Sequence, residues 1–199
     1  MPLLKVQFNN GQLQVNPRGK QVALTFDDGP AEHTIAILDI LKKEKVKAVF
    51  FLIGKNIAGN ENIVQRMKAE GHQIGGHSYF HGFNFDWQST KKMQLEIENT
   101  NSEIEKITCN KVNLFRPPYG VTTPNLAKAI QAAAVKSIGW NLRSMDTVAK
   151  DAQQLTDKIL GKLKSGSIIL LHDRCAITVQ ILPDLIQEIK KRSFDFATL

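Results

Sequence analysis

From about residue 21 onward, the apolar positions fall alternately into continuous runs and into helical spacing. Gln21-Val-Ala-Leu-Thr-Phe26 is a short apolar run ending in Asp-Asp-Gly-Pro, which predicts a strand running into a loop. Ile35, Ile37, Leu38, Ile40 and Leu41 then recur on one helical face, and the pattern ends near Lys45. Ala48-Val-Phe-Phe-Leu-Ile53 is almost continuously apolar, as expected for a parallel strand buried on both faces. Residues 61–69 predict a helix closed by Gly71 at C′. A short strand at 72–76 precedes a long amphipathic helix at 89–107, opened by Ser89-Thr90. Strands follow at 113–116, 136–141, 167–171 and 194–199, and helices at 124–134, 151–163 and 178–191. Pro124 stands in a first helical turn, where its missing N–H costs nothing. Pro183 predicts that the regular part of the last helix starts there, after a looser turn.

Repeated β-α units favour a parallel sheet, either open or closed into a barrel. The polar residues decide between the two. Asp27-Asp28, His77 with His81, Arg116-Pro-Pro-Tyr119, Asp146 and His172-Asp173 each lie just after a predicted strand. Sites at the carboxyl ends of strands are the rule in β/α barrels, and five contributing strands suit a barrel mouth better than the crevice of an open sheet. The 199 residues contain no Pro/Gly/Ser linker, low-complexity tract or repeat. The chain is therefore read as one domain over 1–199, with 1–20 an N-terminal extension.

Composition changes this picture little. An apolar share of 42% and a charged share of 23% belong to an ordinary soluble globular protein. The net charge of +7 suits an acidic polymer such as an anionic cell-wall glycan, or simply solubility. Nucleic acid is not an expected partner, because the basic residues are dispersed without an aromatic-basic platform. The densest of them, Lys42-Lys43 and Lys190-Lys191-Arg192, fall in last helical turns, where cations complement the macrodipole. Residues 1–20 hold no apolar run long enough for a signal peptide, and no membrane span is expected. Cys109 and Cys175 make neither a disulfide framework nor a zinc knuckle, and whether they pair is open.

The chemistry concentrates in two acids and two histidines. Two imidazoles, His77 and His81, with one carboxylate of the Asp27-Asp28 pair, make a three-ligand site that leaves metal positions open for water and substrate. The second carboxylate is then placed to take a proton from that water. A helical turn would set imidazoles four residues apart on one side, about one pitch from each other. Each piece alone has a bland reading. An isolated pair of spaced histidines is more often a solvated or core feature, Asp-Asp-Gly is a turn signal, and Arg116 could sit in a surface salt bridge. Two histidines and a carboxylate also describe a non-haem iron oxygenase, but no cosubstrate site is recognised and the β/α pattern counts against it.

Thr25-Phe-Asp-Asp-Gly-Pro30, His77-Ser-Tyr-Phe-His81, Arg116-Pro-Pro-Tyr-Gly120 and Leu170-Leu-His-Asp173, in that order, resemble the motifs of the polysaccharide deacetylase family, the NodB-homology or carbohydrate esterase family 4 domain. Leu182-Pro-Asp-Leu-Ile and Phe196-Ala-Thr-Leu199 are similar to its last helix and strand. The resemblance implies a distorted, incomplete (β/α) TIM-like barrel. It implies removal of N-acetyl groups from an N-acetylglucosamine-containing polysaccharide (peptidoglycan, chitin oligomer or poly-N-acetylglucosamine) with release of acetate, in a cell-envelope or secreted setting. One divalent ion is implied on Asp28, His77 and His81: Zn²⁺ first, with Co²⁺, Ni²⁺ and Mn²⁺ as alternatives. Asp27 matches the general base, Arg116 the residue that holds it, and His172 the acid that protonates the departing amine. Tyr119 matches the residue whose backbone N–H meets the oxyanion, and Leu170 the wall for the acetyl methyl group.

One segment departs from the family pattern. The fourth motif commonly has a tryptophan, two aspartates three apart and another tryptophan; here it is Trp140-Asn-Leu-Arg143-Ser-Met-Asp146-Thr147. The resemblance gives the first aspartate the tuning of the acid histidine, and Arg143 stands there. Asp146 then either takes over the contact with His172 or bonds Arg143. Two other activities stay open beside N-deacetylation: ester deacetylation of O-acetylated xylan, and catalytically silent carbohydrate binding, against which the retained base, ligands and acid count. Phe80 and Trp87 either stack on sugar or pack, and His33 and His72 have no assigned role.

Overall fold

The computed structural model describes residues 5–9, 12–16 and 19–199, with side chains from residue 19 onward. A hairpin of β1 (Lys5–Asn9) and β2 (Gln12–Asn16) comes first, with Lys5 opposite Asn16 and Asn9 opposite Gln12. The alternating region follows: β3 (Gln21–Gly29), α1 (Thr34–Glu44), β4 (Val49–Leu52), α2 (Glu61–Ala69), β5 (Gln73–Gly76), α3 (Thr90–Thr108), β6 (Leu114–Phe115) and α4 (Pro124–Ala132). It continues through β7 (Lys136–Ser137), β8 (Leu142–Arg143), α5 (Ala152–Lys162), β9 (Ser167–His172), α6 (Ala176–Lys191) and β10 (Asp195–Phe196). Local signals set several ends. The side chains of Ser89, Thr123 and Asp151 accept backbone N–H groups at the starts of α3, α4 and α5. Gly71, at φ 76°, takes the left-handed turn beyond α2.

The sheet is parallel, in the order β7-β6-β5-β4-β3-β9-β8, with β10 against the start of β3. Its two edge strands, β7 and β8, are joined by residues 138–141 alone. Six strand-to-strand steps of about 4.8 Å would hold the edges of a flat sheet about 29 Å apart. The short connection can span only about 18 Å. The sheet must therefore curl, and it forms a distorted, incomplete (β/α) barrel whose seam between β7 and β8 carries no ladder.

The two-residue period of the strands sorts side chains between the two faces of this wall. Val22, Leu24 and Phe26 of β3, Phe50 and Leu52 of β4, and Ile169 and Leu171 of β9 face outward into the main core with the apolar faces of α1, α2, α5 and α6. The intervening Ala23 and Ile168 pack with Ala197, and Val49 and Phe51 with Leu114 and Ile138, in smaller interior clusters. Thr25 and Asp27, at the same parity as Ala23, consequently point inward. So do Leu170 and His172.

Two expected elements differ. Of the strand expected over 136–141 only Lys136–Ser137 forms, and β8 starts beyond it on the opposite sheet edge, because the carbonyls of Ile138 and Gly139 turn to accept from Arg116 rather than continue a ladder. The last helix runs unbroken from Ala176 through Pro183, so no looser turn precedes the proline. Buried Thr178, Ile181, Leu182, Leu185, Ile186 and Ile189 hold the helix on both sides of it. Cys109 and Cys175 are free thiols. Among the described residues no helix is long and apolar enough to cross a membrane.

Candidate active site

Asp27 and His172 are register partners across β3 and β9, so their shared inward parity brings both to the mouth of the barrel. They line a cavity of about 230 Å³ with Asp28, His77, His81, Tyr119, Leu170 and Arg143. Leu170 lies one pleat below His172 and is 2% exposed, which makes it an apolar wall of this cavity.

Asp28 leaves the strand geometry at φ 78°, which turns its side chain sideways from that of Asp27. Asn56 Nδ2 fixes the turn by donating to the Asp28 carbonyl at 3.0 Å. Asp28 Oδ1 then lies 3.6 Å from His77 Nε2 and 3.6 Å from His81 Nε2. A tetrahedral ion with ligand bonds of about 2.0–2.1 Å separates its ligand atoms by about 3.3–3.4 Å, so both carboxylate–imidazole distances suit one divalent cation, and all three ligand atoms lie within 4.8 Å of one another. His77 Nδ1 meets the Arg116 carbonyl at 2.7 Å. A carbonyl only accepts, so Nδ1 carries the proton and Nε2 presents its lone pair to the site, the usual arrangement for a ligating histidine.

The histidine pair does not sit on a helical turn. Residues 77–81 form a loop in which Ser78 and His81 take positive φ values of 70° and 52°. His81 N–H donates to Ser78 Oγ at 3.0 Å, closing the loop so that the two rings approach to 4.8 Å between centroids. Glu96, buried on α3, anchors it by accepting from the N–H groups of Tyr79 and Phe80 at 3.2 and 3.1 Å. Sequence reasoning missed Glu96, because one acid on an amphipathic helix carries no signal of what it holds.

Arg116 is fully buried and acts as a strut across the barrel interior. Its Nη1 donates to Asp27 Oδ1 at 2.6 Å and to Thr25 Oγ1 at 2.8 Å. Its Nε and Nη2 donate to the carbonyls of Ile138 and Gly139, and the guanidinium lies 4.1 Å from the Phe51 ring centroid. A charged hydrogen bond of this kind fixes the Asp27 carboxylate and aims its other oxygen, Oδ2, which is 3.8 Å from His77 Nε2.

Asp146 settles what the fourth motif left open. Arg143 is exposed, and it is His172 that Asp146 binds: Oδ1 accepts from Nδ1 at 2.8 Å and Oδ2 from the backbone N–H at 2.6 Å. Ser144 Oγ and Thr178 Oγ1 also donate to this carboxylate, at 3.0 and 2.8 Å. Of the two contacts left open for Asp146, with His172 or with Arg143, the first is the one formed. Burial disfavours the His172 imidazolium, but the hydrogen bond and charge of Asp146, with Asp27 and Asp28 beyond, outweigh it and raise its pKa above the ordinary histidine value. With Nδ1 engaged, Nε2 is left for the cavity.

Charge at the mouth is balanced tightly. Burial works to raise the Asp28 pKa, yet His77, Arg174, His172 and His81 together hold it below the usual carboxylate range. Burial lowers the His81 pKa, and neighbouring His77 lowers it further. Asp173, behind the site, is pushed up to about 7 by burial; its Oδ2 accepts from Thr34 Oγ1 at 2.6 Å. Tyr119 has a backbone φ of 57°, and its half-exposed ring packs 5.0 Å from that of His81. Arg174 was missed from the sequence: its Nε donates to Asp28 Oδ2 at 2.6 Å.

Comparison with known proteins agrees with this geometry. The family model for polysaccharide deacetylase matches residues 14–138. The peptidoglycan-N-acetylglucosamine deacetylase PgdA of Listeria monocytogenes is 34% identical over 185 residues, covering 90% of this chain and 38% of that protein. The chain therefore spans well under half the length of that relative. The peptidoglycan-N-acetylmuramic acid deacetylase PdaA of Bacillus subtilis is 30% identical over 189 residues, covering 92% of this chain and 72% of that protein. The crystal structure of a carbohydrate esterase family 4 pseudoenzyme from Bacillus anthracis superposes with a TM-score of 0.85 at 28% identity, covering 92% of this chain and 65% of that one.

Proposed function

Since the chain belongs to the polysaccharide deacetylase family, we propose that it is a metal-dependent hydrolase that removes N-acetyl groups from an N-acetylglucosamine-containing polysaccharide, with bacterial cell-wall peptidoglycan as the leading substrate. The observation that carries this reading is the convergence of Asp27, His172 and the Asp28/His77/His81 donor set on one cavity. A fold shared with a pseudoenzyme does not by itself confer activity; these side chains are what favour it.

Asp28, His77 and His81 would hold the cation, with Zn²⁺ the first choice for a two-imidazole, one-carboxylate set. Such an ion supplies Lewis acidity to a water molecule and to the acetyl carbonyl. Asp27, oriented by its hydrogen bond from Arg116, takes the proton from the attacking water. The Tyr119 backbone N–H serves the negative charge that develops on the carbonyl oxygen. His172 enters as an imidazolium held by Asp146 and gives its Nε2 proton to the sugar nitrogen as the C–N bond breaks. That proton matters because an amide nitrogen leaves poorly as an anion. Leu170 faces the acetyl methyl group. Water and amide are consumed; acetate and a glucosamine unit are released.

The test is acetate release from peptidoglycan fragments, chitin oligosaccharides and acetylated xylan, before and after chelation and with Zn²⁺ restored. Amide substrates should be turned over, chelation should stop turnover, and Zn²⁺ should restore it. Asp27→Asn should bind metal normally yet lose about 10²-fold or more in kcat, the lower range for a general base. His77→Ala should lose metal and turnover together. Normal turnover by Asp27→Asn would remove the proposed base. Acetate from xylan alone would replace the amide by an ester.

A further inference from the structure

The two oxygens of Asp28 are divided between two tasks. Oδ1 faces both imidazoles at 3.6 Å, whereas Oδ2 accepts from Arg174 Nε at 2.6 Å. The φ of 78° at Asp28 and the Asn56 bond to its carbonyl set the backbone from which this carboxylate extends. Arg174 reaches it from the loop beyond β9, two residues after His172, with its side chain 53% exposed. Its only charged hydrogen-bond partner among the described residues is Asp28.

We propose that Arg174 is a positioning residue that confines Asp28 to one-oxygen coordination and lowers the charge this ligand donates to the cation. The inference rests on Asp28, His77 and His81 being the ligand set. Outer partners of metal ligands are commonly acceptors, such as a carboxylate taking a histidine's N–H, and they raise ligand basicity and affinity. Here the outer partner is a cationic donor on a carboxylate ligand, so the sign is reversed. The guanidinium occupies the lone pair that a bidentate carboxylate would use, and its charge opposes that of the incoming ion. The cation is consequently held less tightly but remains a stronger Lewis acid, with a coordination position kept free for water and substrate carbonyl.

The experiment is Zn²⁺ affinity by competition with a chromophoric chelator, together with the visible spectrum of the Co²⁺-loaded protein. Wild type, Arg174→Gln and Arg174→Ala are compared, with His77→Ala as the control for the ligand set. Removing the guanidinium should tighten Zn²⁺ binding by about tenfold, the lower end of what outer-partner changes do to metal affinity. The Co²⁺ d–d bands of Arg174→Ala should weaken, as expected when a second carboxylate oxygen raises the coordination number. Arg174→Gln keeps an N–H donor without the charge, so its affinity should rise while its spectrum stays close to that of wild type. Unchanged affinity in both variants would reduce Arg174 to a surface ion pair, and weaker binding would make it a simple orienting residue; either overturns the proposal. If His77→Ala binds Zn²⁺ as well as wild type, the ligand set itself is wrong. That failure is distinguishable from failure of the Arg174 proposal.

Discussion

Replacing Asp146 by asparagine removes one negative charge from a carboxylate that is 2% exposed and accepts four hydrogen bonds. Asparagine offers one oxygen for two. If that oxygen faces His172 Nδ1, the new amide N–H meets the backbone N–H of His172, which is left buried without an acceptor. A hydrogen bond to a charged group contributes about 1.5–3 kcal/mol, so the imidazolium should lose about that much stabilisation. At about 1.4 kcal/mol per factor of ten, kcat/KM at pH 7–8 should fall about 10–100-fold. The direction in pH is fixed by the balance at His172, where burial lowers the pKa and Asp146 more than restores it. Without the carboxylate burial wins, the acid deprotonates sooner, and the basic limb of the pH–rate profile moves to lower pH. The assay is acetate release across pH, with Arg143→Ala as the control, because Arg143 lines the same cavity but is exposed, and it is Asp146 that hydrogen-bonds His172. A basic limb that stays in place in Asp146→Asn, or that moves as far in Arg143→Ala, would refute the assignment.

Two further outcomes test the scaffold. His72 is buried beside Phe50, accepts from Ala48 N–H, and has its pKa lowered from 6.5 to about 4, first by burial and then by Lys47. The unfolded chain therefore binds the extra proton between those values, and stability should fall by about 3 kcal/mol as pH drops from above 6.5 toward 4. Urea unfolding of wild type and His72→Asn at several pH values checks this; identical pH slopes in the two would rule it out. Gly29→Ala would place a methyl group 2.1 Å from buried Asp173 Oδ2. That overlap should cost about 3 kcal/mol and lower Tm, and an unchanged Tm would show that the Asp173 shelf yields freely.

Most of the barrel was legible because its strands are buried on both faces and so read as plain apolar runs, as at Val49–Leu52 and Ser167–His172. Asp27, Asp28 and His172 stood out for a related reason, since they close such runs. What escaped depended on contacts distant in the chain. The stretch 138–141 looks like strand, but the Arg116 guanidinium draws its carbonyls out of any ladder. The loop that joins His77 and His81 needs left-handed backbone at Ser78 and His81, which neither residue type announces. Arg174 follows His172-Asp173 without any local mark of its partner 146 positions away. The β1–β2 hairpin did have a signal: Asn10-Gly11 stands between its strands, and Asn-Gly is the commonest two-residue hairpin dipeptide.

At the barrel's seam a guanidinium holds the carbonyls of Ile138 and Gly139, alongside the backbone bonds that Ile138 and Asn141 donate to Phe115 and Ile168. The same side chain that restrains Asp27 thus also ties this connection to the wall, and site and architecture cannot be varied separately at this position. Lysine, with a single point charge and no planar fork, could reach the carboxylate or the two carbonyls but not both. An otherwise conservative exchange there should therefore loosen the mouth even if it preserved the charge, and widening this scaffold toward bulkier glycans is better attempted at the exposed rim than along that suture.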